Sequence, residues 1–98
     1  MKTYLIGDIV EIVSKGHGKT FIRKGIVSEI VKAGDLPHEI ELATDIGDPR
    51  SHESYVVFTS TKGAHYSKLV GGKFDKATDR YFWPRVGNIS LIRRYKKK

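Results

Sequence analysis

β-Branched and aromatic residues recur along this chain in short alternating runs, not at helical spacing, and the runs predict strands. Ile9, Val10, Ile12 and Val13 follow Gly7-Asp8 and form the first. Phe21 to Val31 makes a longer one broken by Gly25, with Ile26 and Ile30 flanking Ser28 on one face and Val27 and Val31 flanking Glu29 on the other. A glycine inside such a pattern marks a bulge or a sharp bend. After the turn cluster Ala33-Gly34-Asp35-Leu36-Pro37, the alternation His38-Glu39-Ile40-Glu41-Leu42 puts Ile40 and Leu42 on a buried side. Tyr55 to Thr61 is the plainest strand of the chain. Tyr66 to Val70, Arg80 to Trp83 and Ile89 to Tyr95 supply the remainder, separated by glycine and proline turns. No stretch sustains a 3.6-residue period over ten residues, although one helical turn fits around Asp75 to Asp79.

Five to seven short antiparallel strands joined by glycine turns predict an all-β fold, a small barrel of SH3-like or OB-like type. Closing the sheet also hides the edges that a chain so rich in valine and isoleucine would otherwise present. The 98 residues suit one modest core. The expected organisation is a single SH3-like domain over residues 1–95 with a basic tail at 96–98.

Charge narrows the class of partner. Residues 1–50 hold 7 basic and 8 acidic side chains, whereas residues 51–98 hold 11 and 3. A pI near 9.7 with its charge on one side points to a polyanion, of which nucleic acid is the commonest. The tail does not account for the imbalance, because the second half stays strongly basic without Lys96, Lys97 and Lys98. The opening MKTYLIGDIVEIV meets Asp8 and Glu11 before an apolar run develops, so neither a signal peptide nor a membrane span is expected, and a cytoplasmic setting is.

The segment KGHGKT at residues 15–20 has the ending of an ATP-binding P-loop. That motif needs a glycine five residues before Gly18, and the position is Val13. It also needs a helix starting at the lysine, whereas FIRKGIVSEIV follows, β-branched and broken by glycine. The segment reads as a hairpin loop instead, with Gly16 and Gly18 supplying unusual backbone angles.

Gly7-Asp8-Ile9-Val10-Glu11-Ile12, a Gly/Lys loop, and then Lys24-Gly25-Ile26-Val27-Ser28-Glu29-Ile30 resembles a KOW motif, the opening of SH3-like barrels in some ribosomal proteins and transcription elongation factors. The resemblance spans roughly residues 7–31. Phe21 to Lys24 are extra residues relative to that pattern. It implies nucleic-acid contact through the first hairpin, while barrels of this type also dock proteins.

Basic residues interleave with aromatics in the second half: Tyr66-Ser67-Lys68, Lys73-Phe74-Asp75-Lys76, Arg80-Tyr81-Phe82-Trp83-Pro84-Arg85 and Arg93-Arg94-Tyr95. Cations anchor phosphates and exposed rings stack on unpaired bases. The candidate contacts are therefore Lys15, Lys19, Arg23 and Lys24 from the first hairpin, and Lys68, Lys73, Lys76, Arg80, Arg85, Arg93 and Arg94 beyond it. Tyr66, Tyr81 and Trp83 are the candidate stacking groups, and Phe58 and Phe82 the candidate core rings.

Catalysis finds no support in the residues. There is no cysteine, and His17, His38, His52 and His65 are isolated, so no metal site and no cofactor are expected. The reading is a non-enzymatic nucleic-acid-binding module of low sequence specificity. DNA is favoured over RNA, as for a small phage or accessory factor acting on transcription or nucleoid structure. The rival is a barrel that docks an acidic protein partner in a larger assembly, RNA- or ribosome-associated assemblies included, through a groove containing Tyr81 and Trp83.

Overall fold

The computed structural model of the chain describes residues 3–16, 18–38, 50–65, 69 and 71–94, with the side chains of residues 14–16 outside that description. Strand β1 runs Ile9–Gly16, β2 Lys19–Val31, β3 Ser54–Ser60 and β4 Asp79–Phe82. A 3-10 turn at Val86–Asn88 leads into β5, Ile89–Arg93. All pairings are antiparallel and the order across the sheet is β4-β3-β2-β1-β5. The first four strands form a meander, and the fifth returns to the free side of β1. The all-β expectation holds, with five strands among the described residues. This meander, with its last strand back beside the first after a 3-10 turn, is consistent with a small β-barrel-like fold.

β2 gives the sheet its curl. Lys19 to Ile26 pair with β1, and Ile26 to Val31 pair with β3, so Ile26 alone has ladder partners on both sides, Ile9 and Phe58. At Gly25 the neighbouring strand comes close: a Cβ there would lie 2.5 Å from Val57 Cγ1 and 2.6 Å from the Phe58 carbonyl oxygen. Only glycine admits that approach. The register shift itself falls three residues on, between Val27 and Glu29. The extra residue reverses the alternation, so Ile30 packs on the same core cluster as Val27. The simple faces expected for this run are corrected accordingly: Ile26 and Val27 are both buried, and Ser28 lies in the bulge with its hydroxyl donating to the Val56 carbonyl at 3.2 Å.

The main core joins Val10, Ile12, Val27, Tyr55, Val57 and Ile89 with Tyr4. Tyr4 sets its ring edge-on to Tyr55, centroids 5.1 Å apart, and its hydroxyl donates to the Ile89 carbonyl at 2.8 Å. Burial pushes both phenols above the ordinary tyrosine pKa. The Asp8 charge adds to this at Tyr4, and a hydrogen bond to Glu53 adds to it at Tyr55. Asp8 is itself buried, accepts from the Leu5 amide at 2.8 Å and pairs with Arg94 at 3.2 Å, tying β5 to the residues before β1.

A smaller cluster holds Val31, Val56 and Trp83. Trp83 is fully buried, and its indole N–H donates to Ser54 Oγ at 2.8 Å. The Arg50 guanidinium lies 4.0 Å from the ring centroid and donates to the Trp83 and Pro84 carbonyls, each at 2.7 Å. The alternation expected for residues 38–42 and the strand expected at 66–70 fall almost wholly outside the described residues; His38 itself is exposed and donates its amide to Glu29. The turn before β4 is one loose helical turn, closed by the Asp79 amide donating to the Asp75 carbonyl at 2.8 Å.

Candidate nucleic-acid interface

The first hairpin carries the cations of the β2 arm. β1 pairs Gly16 with Lys19, and Gly18 at the tip has φ of +74°, which an L side chain rarely adopts. Gly16 sits within the ladder, so the turn conformation rests on Gly18. A strand follows where a P-loop would have its helix.

Residues directly opposite in an antiparallel ladder share a face. Arg23 lies opposite Ile12, on the core-facing side, and Phe21 and Lys19 follow on that same side at two-residue spacing. The Arg23 guanidinium stands 5.4 Å from the Phe82 ring centroid and 6.0 Å from that of Phe21. Phe82, expected in the core, is only half-buried and forms the floor beneath this cation.

A cleft of about 520 Å³ opens here between β2, the end of β3 and the turn into β4. Arg23, Lys24 and Arg80 supply its charge, Thr59, Ser60, Thr61 and Thr78 its hydroxyls, and Phe82 its apolar wall. Among the described residues no carboxylate lines it. Arg80 Nη1 donates to the carbonyls of Lys76 and Asp79, which orients the guanidinium without neutralising it. A second groove of about 640 Å³ adjoins the first across Lys24 and Ser60, and Arg93, His65 and Ile92 line it, again with no carboxylate among the described residues. Among the described residues, none of Arg23, Lys24, Arg80 and Arg93 is in a salt bridge. The result is a basic band across two neighbouring grooves, Arg80–Arg23–Lys24–Arg93. Positive charge so concentrated in concave surfaces raises the local potential for an anion.

The other sequence candidates separate from this band. Lys19 is exposed at the hairpin end of the arm, and Lys73 and Lys76 are exposed around the turn before β4. Arg85 is exposed but lines neither groove. Arg94 is engaged by Asp8 and the Thr3 carbonyl, so its charge is largely spent within the fold. Tyr66, Lys68 and the side chain of Lys15 lie outside the described residues.

Two of the proposed stacking rings are corrected. Trp83 cannot meet a base, because a full-size indole with a buried hydroxyl as partner belongs to the interior. Tyr81 is half-buried, with Phe74 stacked on it at 5.4 Å and Phe58 in tilted contact at 5.3 Å, so the ring is held among other aromatics and one face is covered. A docking groove containing Tyr81 and Trp83 loses its tryptophan for the same reason, since the indole is fully buried. Phe21 was not among the candidates, yet it is the exposed ring of the described residues, 44% accessible. Its signal was the alternation Lys19-Thr20-Phe21-Ile22-Arg23, which places two cations and a ring on one strand face.

Comparison with family models, with curated proteins and with solved structures gave no match to this chain.

Proposed function

We propose that the chain is a non-enzymatic nucleic-acid-binding module that grips the phosphate backbone with little sequence specificity. The observation that carries this is the band Arg80–Arg23–Lys24–Arg93, four cations over two adjoining grooves that no acidic side chain of the described residues lines. Hydroxyls along the first groove add neutral partners suited to phosphate oxygens. The hairpin that bears Lys19 and Arg23 stands where KOW-like barrels carry a glycine–lysine loop, which supports the same reading. DNA is the favoured polymer, and transcription or nucleoid structure the setting that suits it.

The band sets the size of the effect. Four phosphate contacts give a log–log salt slope of about −3.6 on duplex and about −2.8 on single strands. Fluorescence anisotropy with labelled oligonucleotides between 50 and ~200 mM salt measures it. Charge reversal at Arg80 and Lys24 together is expected to weaken binding at least tenfold at the lower salt and to flatten the slope by about 2. An isotherm that ignores salt, or a reversed variant that binds as tightly as the parent, refutes the proposal.

A further inference from the structure

We infer that the polymer this site is built for is single-stranded, and that Phe21 is the group that stacks on an unpaired base. The inference rests on the nucleic-acid reading above and adds to it the state of the strand. Lys19, Phe21 and Arg23 occupy successive positions on one face of β2, so a ring stands between two cations. Arg23 in turn lies between the rings of Phe21 and Phe82, and Phe82 walls the basic cleft. The series cation, ring, cation, ring runs from the hairpin arm into a cleft that no carboxylate of the described residues lines. Such a series meets a flexible strand at both of its features: phosphates at the cations, an unstacked base at the exposed ring.

A duplex uses only half of this. Its bases are stacked within the helix, so an aromatic face at a groove mouth finds no base face to cover. An exposed phenylalanine there would bring it nothing, whereas on a single strand each stacked base contributes substantially whatever its identity. The ladder also stops at Ile26↔Phe58 on the β3 side, so that among the described residues no strand pairs with that side of residues 19–25.

The experiment compares three labelled probes at one salt concentration: a 20-nucleotide oligothymidylate, a 20-nucleotide oligouridylate and a 20-base-pair duplex. The proteins are the parent chain, Phe21→Leu, Phe21→Trp and the Arg80→Glu/Lys24→Glu double variant. Phe21→Leu keeps an apolar side chain at an exposed position and is expected to lose about five- to a hundred-fold on one or both single strands while leaving the duplex within twofold. Phe21→Trp is expected to retain single-strand binding, and its added indole to be quenched as the strand binds. Oligothymidylate against oligouridylate decides between DNA and RNA as the source of the strand. If Phe21→Leu changes nothing, or weakens duplex and single strands alike, the stacking role is overturned; the phosphate-binding reading still stands provided the charge-reversal variant loses affinity. If no probe binds the parent chain, the nucleic-acid reading itself fails.

Discussion

Trp83→Phe separates a core tryptophan from a ligand-stacking one, and its cost follows from three contacts. The indole N–H donates to Ser54 Oγ, and both residues are fully buried, so phenylalanine leaves that hydroxyl without its partner at a cost of about 1–3 kcal/mol. The smaller ring leaves a void of roughly 40 Å³, worth about 1 kcal/mol at ~24 cal/mol per Å³. The Arg50 guanidinium, 4.0 Å above the ring, loses about 0.5 kcal/mol on the weaker phenyl quadrupole. Together these give about 3 kcal/mol. With a urea m-value of about 1–1.5 kcal/mol per M, the unfolding midpoint read by circular dichroism falls by about 2 M at unchanged slope. Ser54→Ala and Trp83→Phe combined should cost less than the sum of the two by at least about 0.5 kcal/mol, because each removes the same hydrogen bond. Oligonucleotide affinity below the melting range should match the parent. A midpoint shift under 0.5 M, or lost affinity at unchanged stability, would overturn the placement of this ring in the core.

Gly25→Ala tests the close approach of β2 and β3. A methyl 2.6 Å from a carbonyl oxygen forces the strands apart at an expected cost of about 2–3 kcal/mol in urea melts, whereas Gly87→Ala, with open space at its Cβ, should stay within about 1 kcal/mol of the parent; equal midpoints for the two would refute the crowding. Alkaline pH acts on Tyr4 and Tyr55. Both phenols titrate above the ordinary value of about 10 in the fold, so the unfolded chain loses its protons first. Stability from these groups is complete below pH ~10 and is lost as pH rises toward their folded values. Melts from pH 8 to ~11.5 should show the decline starting near 10, and Tyr4→Phe should soften it; a melting temperature flat across that range would contradict the burial of both hydroxyls.

Much of the sheet was legible from side-chain type alone. The runs at residues 9–13, 21–31, 55–61, 80–83 and 89–95 each contain most or all of a strand or lie within one, the last over Ile89–Arg93, because β-branched residues between glycine turns have few other ways to bury themselves. The bulge after Val27 was not legible, since it depends on where β3 lies rather than on any residue of β2. Alternation in Arg80-Tyr81-Phe82-Trp83 separates two faces but does not show that both meet apolar clusters: Phe82 packs on the main core as expected, while Trp83 is buried in the smaller cluster with Tyr81 against it. The cations were legible as a class. Their sorting was not: Arg94 reaches Asp8 across 86 positions, while Arg23 on β2 and Arg80 on β4 line one cleft because their strands flank β3.

Among the described residues no strand pairs with the β3 side of the β2 arm before Ile26, which has a bearing on self-association. An unpaired backbone edge is a template on which a second copy can add a strand, and the exposed Phe21 and Ile22 would strengthen such an attachment. Lys19, Arg23 and Lys24 stand along that same stretch. A second copy aligned there would bring its own cations to within a strand spacing of about 5 Å, like charge against like. The side chains that would greet a phosphate thus also keep the arms of neighbouring molecules apart, and an anion that neutralised them would remove that protection.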